Sequence, residues 1–264
     1  MRIVRFAHPA GMSFGVLDGD GQVAQIEGHP FGQISFTGQR FAAADVRLLS
    51  PILPSKVVAV GKNYADHVQE MGTGDAPKEP LIFLKPNTSV VGPGDPIVYP
   101  AATSDLQHEG ELAVVIGRIC RSVPLDRVRE VIFGYTVAND VTARDLQKKD
   151  GQWARAKGYD TFCPLGPWIT THQSLEEVAD LRIRTTLDGE ERQNGSTNLM
   201  VFSVPELVEY ISSYTTLLPG DVILTGTPAG VGEMLPGQEV SIEIEGIGTL
   251  TNTVAGAAAT ESSE

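Results

Sequence analysis

Short apolar runs broken by glycine and proline dominate this chain, and the pattern reads as strands far more often than as helices. RIVRF and MSFGVL open the sequence, and the turn-forming DGDGQ (Asp18 to Gln22) precedes VAQI; together they predict a small appended β unit over residues 1–50. The chain breaks at Ser50-Pro51 and Pro54. VVAV (Val57 to Val60) then reads as a buried strand and Asn63 to Met71 as a short helix. LIFL, ELAVVIG, GYTVAN, LRIRTTL, DVILTG and VSIEIE supply further strands. The clearest helix is predicted over Val204 to Tyr214, where Ser203 and Glu206 form a capping-box pattern and Pro205 suits the first turn. Its apolar face is marked by Val204, Leu207, Val208 and Ile211. Strands do not alternate regularly with helices, so a β-rich α+β architecture is expected over residues 51–254 rather than a Rossmann-type parallel sheet. The tail AGAAATESSE (255–264) is poor in large apolar residues and reads as disordered.

A chain of 264 residues suits one large domain, or one large and one small. Its 33 acidic residues outnumber its 20 Lys and Arg, for a formal charge of −13. That balance argues against non-specific binding of nucleic acid or anionic membrane, because phosphate binding needs a net basic face, and neither is expected as a partner. An anionic substrate stays admissible if the site carries its own cations. The two cysteines, Cys120 and Cys163, lack CxxC spacing, which disfavours a disulfide scaffold or a Cys-rich zinc site and fits a reducing cytosol. MRIVRFAHPAG lacks a signal-peptide core, and no run reaches the roughly 20 apolar residues that span a bilayer. A cytoplasmic protein is expected.

The strongest chemical signal is Glu109-Gly110-Glu111, immediately before the apolar run Leu112 to Ile116. In an extended segment both carboxylates share a face, about 6.6 Å apart. At an effective dielectric of about 20 they repel by about 2.5 kcal/mol, a cost relieved by exposure, by protonation or by a cation. Asp140 ends the strand FGYTVAN and precedes Val141 to Gln147, so it reads either as a helix N-cap or as a third carboxylate. Three carboxylates at strand ends form the all-oxygen set that Mg²⁺ or Mn²⁺ prefers.

Two further segments carry candidate chemistry. Thr225-Gly226-Thr227-Pro228-Ala229-Gly230-Val231-Gly232 follows the strand DVIL and reads either as a plain connection or as a loop whose N–H groups and hydroxyls hold a carboxylate. In Gly61-Lys62-Asn63-Tyr64-Ala65-Asp66-His67-Val68-Gln69-Glu70, His67 and Glu70 stand at helix positions i and i+3. They are either a surface pair or a general base that activates water. GQWARAKGYDTFCPLGP, with Trp153, Arg155, Lys157 and Asp160, reads as a loop over a site or on the surface. No GxGxxG, P-loop or GxSxG elbow occurs, so nicotinamide, P-loop NTP and serine-hydrolase chemistry lose support.

In order, VGKNYADHVQEMG, PLIFLKP, HEGELAVVIG, GYTVANDVTARDLQ, GQWARAKGYDTFCPLGP and LLPGDVILTGTPAGVG resemble the fumarylacetoacetate hydrolase superfamily, from about residue 50 onward. The N-terminal β unit also resembles the small extra domain of bacterial members. The resemblance implies a mixed β-roll catalytic domain, a homodimer, and Mg²⁺ or Mn²⁺ held by Glu109, Glu111 and Asp140. It implies a lysine near metal and substrate at Lys157, a carboxylate-binding loop at Gly226 and Thr227, and substrate contacts at Gln147, Tyr64 and Lys62. Lys62 stands where many relatives have arginine, which loses a bidentate fork. His67 and Glu70 match a water-activating pair on a mobile lid.

The leading expectation from that resemblance is C–C bond cleavage in a small anionic 2-oxo acid or 1,3-dicarbonyl acid, by acylpyruvate hydrolysis or oxaloacetate decarboxylation through a metal-stabilised enolate. Two alternatives stand beside it: isomerisation or decarboxylation of a hydroxymuconate or 2-hydroxyhepta-2,4-diene-1,7-dioate type substrate, and a non-catalytic binding member of the fold.

Overall fold

The computed structural model describes residues 1–72 and 76–256. Of the expected tail, residues 257–264 lie outside this range, while Ala255 still belongs to the last strand, Gly248–Ala255. Among the described residues no helix is long and apolar enough to cross a membrane.

The expected β-rich α+β architecture is what forms. A 12-stranded sheet runs through Phe36–Ala42, Gln22–Ile26, Gly11–Leu17, Arg2–His8, Cys163–Thr170, Ile132–Asn139, Gly110–Ile116, Val222–Leu224, Val57–Gly61 and Leu81–Lys85, with two short strands off this path. A 5-stranded sheet orders Glu190–Ser196, Arg182–Leu187, Glu239–Ile244, Gly248–Ala255 and Ile97–Val98. The first fifty residues are joined to the rest by hydrogen bonding as well as by the chain: Arg2 and Ile3 pair with Thr170 and Ile169, and Ile3 is buried.

The central strand shows why this sequence makes a sheet that is covered on both sides. Every residue of Gly110–Ile116 is buried. Leu112, Val114 and Ile116 point into one apolar cluster and Ala113 and Val115 into the other, the period of two that a strand imposes. Ile132–Asn139 pairs antiparallel to it, setting Glu111 opposite Ala138 and Gly110 opposite Asn139. Asp140 therefore emerges beside Glu109, whose carbonyl accepts from the Asp140 N–H at 2.9 Å.

The helix over Val204–Tyr214 forms as its periodicity predicts, burying Val204, Leu207, Val208 and Ile211, with Glu206 accepting from the Ser203 N–H at 2.7 Å. The helix expected over Asn63 to Met71 is shorter, Ala65–Glu70. Asn63 is diverted by tertiary bonds: its side chain donates to the carbonyls of Phe202 and Thr225 and accepts from the Phe202 N–H.

Asp221 pins the parallel pair Val57–Gly61 and Val222–Leu224 at its start. Fully buried, it accepts from Ser55 Oγ at 2.6 Å, from the Leu218 N–H at 2.7 Å and from Lys56, which is 24% exposed. Asp221→Ala strands these donors and should lower the free energy of unfolding by about 2–4 kcal/mol in urea titrations. A loss under about 0.5 kcal/mol, the level of an ordinary surface change, would contradict this role.

Candidate active site

Glu109, Glu111 and Asp140 come together, each offering an oxygen within 4.8 Å of the others, and all three are buried. At an effective dielectric of about 20, each ionised pair at that separation would repel by about 3.5 kcal/mol. Three cations answer them. Lys157 Nζ donates to Glu109 Oε2 at 2.8 Å and to Asp140 Oδ2 at 2.7 Å. Arg144 Nη2 pairs with Glu109 Oε1, and Lys85 Nζ pairs with Asp140 Oδ1.

The donors divide the oxygens of each carboxylate. Glu109 Oε1 is held by Arg144 and by Thr142 Oγ1 at 3.1 Å; Asp140 Oδ1 is held by Lys85; Glu111 Oε2 is held by the Gly226 N–H at 2.7 Å. That leaves Glu109 Oε2, Asp140 Oδ2 and Glu111 Oε1, of which Lys157 bridges the first two. Fixing one oxygen by the protein and turning the other inward is how ligand carboxylates are oriented toward a cation. The donor set, all oxygen and all carboxylate, fits a hard divalent ion.

Protonation follows the same division. Burial pushes the Glu111 carboxyl well above its usual range, and the charges of Asp140 and Glu109 push it further. Burial also opposes ionisation of Glu109, but Lys157 and Arg144 outweigh it and hold that carboxyl well below the usual range. For Lys157, burial works against the charge while Asp140 and Glu109 raise its pKa overall. Glu111, whose outer partner is an uncharged amide, is thus the carboxylate with the most to gain from a cation.

A cavity of about 380 Å³ opens beside the carboxylates. Trp153 forms one apolar wall, its ring set edge-on to Phe83 at 5.2 Å between centroids. Gly61 permits this, since a Cβ there would lie 2.5 Å from the indole. His67 reaches the cavity from the short helix, with Nδ1 against Glu70 Oε2 at 3.1 Å. Glu70 Oε1 accepts from the Gly230 N–H at 2.9 Å, which fastens the helix to the glycine-rich loop. Lys62, at φ 58, holds a backbone conformation that non-glycine residues rarely adopt, and its side chain also lines the cavity.

The other residues singled out from the sequence have these places. Gln147 lines the cavity and accepts from Arg144 Nη1 at 2.7 Å. Thr227 lines it too, but its hydroxyl proton goes to the Gly110 carbonyl at 2.9 Å. Gly226, at φ 95, spends its N–H on Glu111 rather than on an incoming carboxylate. Tyr64 is 0% exposed and packs in the apolar core rather than on the cavity wall, with its hydroxyl left without a hydrogen-bond partner. The N-cap reading of Asp140 is also overturned, because the following helix starts at Arg144 with Ala143 at its cap. GQWARAKGYDTFCPLGP is more ordered than a loop, with a helical turn at Ala154–Lys157 and a strand from Cys163.

Sequence reasoning missed Lys85, Arg144 and Gln193. Gln193 accepts from the Gly110 N–H at 2.9 Å and donates to Thr227 Oγ1 at 2.7 Å, bracing the ligand strand against the loop. Lys85 carried a signal, a lone charge ending the apolar run LIFL; a lysine buried to 0% exposure needs a carboxylate partner. Lys85→Met should weaken Mn²⁺ affinity of the folded protein about 10- to 100-fold in calorimetric titration, by freeing Asp140 to turn. Unchanged affinity would contradict the orienting role.

Comparison with known proteins shows the family. Residues 56–255 match the family model described as fumarylacetoacetate (FAA) hydrolase C-terminal, and residues 1–51 match Rv2993c-like, N-terminal. The solved 5-carboxymethyl-2-hydroxymuconate delta-isomerase from Mycobacterium smegmatis is 55% identical with a TM-score of 0.91, covering 97% of this chain and 100% of that one. The 2-hydroxyhepta-2,4-diene-1,7-dioate isomerase from Mycobacterium marinum is 52% identical with a TM-score of 0.89, covering 98% and 100%. Oxaloacetate tautomerase YisK of Bacillus subtilis is 43% identical over 225 residues, 81% of this chain and 75% of that protein. The matched span, the extent of these identities and the buried carboxylate triad place the chain in the fumarylacetoacetate hydrolase family, as a metal-dependent enzyme of that fold.

Proposed function

We propose that the protein is an isomerase or tautomerase that moves a proton within a 2-oxo acid or its dienol, using Mg²⁺ or Mn²⁺. The observation that carries this reading is the division of carboxylate oxygens: each ligand is held from outside on one oxygen and turned inward on the other, next to a cavity that also holds His67. The cleavage reading drawn from the sequence yields first place to its isomerase alternative. Two of the relatives above are named isomerases and one a tautomerase, and these names favour proton transfer without loss of a fragment.

A divalent ion at Glu109, Glu111 and Asp140 would supply Lewis acidity toward the 2-oxo group. The chain's own residues supply the rest. Lys157 is the donor to set against the oxygen that gains negative charge as the C3 proton leaves. With Nδ1 engaged by Glu70, His67 has Nε2 to accept that proton and to return it. The C3–H electron pair becomes the C2=C3 double bond. Reprotonation at C3 restores the oxo form, whereas reprotonation farther along a conjugated chain gives the isomer, with no net oxidation. The apolar wall of Trp153 and Met71 limits water at the reacting carbons.

The test is a panel of oxaloacetate, a 2-hydroxyhepta-2,4-diene-1,7-dioate and acetylpyruvate with the Mn²⁺-loaded protein, following ultraviolet absorbance, pyruvate and CO₂ together. A metal-dependent absorbance change with neither product is expected; stoichiometric enzyme-dependent pyruvate release, from acetylpyruvate by hydrolysis or from oxaloacetate with CO₂, would restore the cleavage reading. His67→Ala should keep metal affinity and lower turnover about 10²- to 10⁴-fold. Glu109→Ala should lose turnover together with the rise in melting temperature that saturating Mn²⁺ gives the wild type. Full turnover in either variant would count against its assigned role.

A further inference from the structure

The outer part of the cavity departs in charge from the chain that builds it. The protein carries a formal −13, yet among the described residues Glu109 and Glu111 are the only acidic ones on the cavity wall, and both belong to the carboxylate centre. The other charges on that wall are all positive: Lys62, Arg144, Lys148 and Lys157. Arg144 and Lys157 are spent on the inner carboxylates. Among the described residues Lys62 and Lys148 have no hydrogen bond or ion pair, and of the two Lys148 shares a helix with residues that reach the carboxylate centre.

Its position follows from helix geometry. Arg144, Gln147 and Lys148 occupy i, i+3 and i+4 of the helix Arg144–Asp150, which puts all three on one face, and all three line the cavity. Arg144 marks the inner end through Glu109, and Lys148 lies about 6 Å farther along the axis. Burial grades the same way, from Arg144 at 3% exposed through Gln147 at 9% to an exposed Lys148. The face therefore runs from the carboxylate centre outward and ends on an unspent ammonium, with the flat Trp153 ring also on the cavity wall.

We propose that Lys148 is the specificity-determining residue of a second anion subsite, which takes the remote carboxylate of a dicarboxylic 2-oxo or 2-hydroxydienoic acid. This rests on the reading above for the 2-oxo acid head at Glu109, Glu111 and Asp140. The inner site supports it on charge: three carboxylates already meet three cations, so a divalent ion leaves a positive surplus that a dianion answers better than a monoanion. An acylpyruvate without a second carboxylate gains nothing from Lys148.

Two ligands of equal carbon length separate head from tail: 2-oxoglutarate, with a remote carboxylate, and 2-oxovalerate, without one. Calorimetric titration of the Mn²⁺-loaded full chain should show a preference for 2-oxoglutarate of about two- to fivefold, as one ion pair to an exposed ammonium would give. Lys148→Met should erase it by weakening 2-oxoglutarate alone, Lys148→Arg should retain it, and added salt should shrink it in the wild type. An unchanged ratio in Lys148→Met, or equal weakening of both ligands, would overturn the subsite. If neither ligand binds the Mn²⁺-loaded wild type, the 2-oxo acid head reading falls, and the subsite with it.

Discussion

Three buried carboxylates held within 4.8 Å of one another are the constraint on which this molecule turns. Left to themselves they would repel by several kcal/mol, so the fold has to bring compensating donors from elsewhere in the chain. It does so from well-separated segments: Lys85 at the end of one strand, Arg144 on a short helix, Lys157 on a helical turn and the Gly226 N–H on a loop. No local stretch can satisfy the triad alone. The donors reach the triad only once the sheets are assembled, and both faces of Gly110–Ile116, the strand that carries Glu111, are packed in apolar clusters.

That arrangement links rigidity to chemistry. Groups fixed before substrate arrives cost no reorganisation when charge develops, which is where preorganised donors help a proton transfer most. The rigid side consists of the carboxylates, Lys157 and the strands beneath them. His67 stands on a different kind of support, a six-residue helix with no side-chain cap at Tyr64, fastened to the glycine-rich loop through Glu70. In the proposed reaction, a proton carrier on a short element beside a fixed charge centre would let substrate enter and leave past it.

Much of the strand content was legible because buried strands are written as apolar runs: ELAVVIG, GYTVAN and DVILTG all form where their composition places them. The helix Val204–Tyr214 was legible because capping and periodicity agree. Glu109, Glu111 and Asp140 were visible as residue types at strand ends, but their convergence depends on the pairing of Gly110 with Asn139, a register that sequence spacing does not encode. Tyr64 lies between Lys62 and His67, which line the cavity, yet its own ring packs in the core, a difference that their closeness in sequence does not show. Gln193 was invisible: it sits among exposed polar residues on Glu190–Ser196, and only tertiary pairing buries it against Gly110 and Thr227.

The central claim is that the inward oxygens of Glu109, Glu111 and Asp140 share one divalent ion. Anomalous diffraction from crystals grown with Mn²⁺ tests it most directly. The account predicts a single strong peak per chain at this site, bounded by one oxygen from each carboxylate at about 2.1 Å, with Lys85, Arg144 and the Gly226 N–H still on the outer oxygens. A site without a manganese peak, or a peak on a different set of residues, would contradict it.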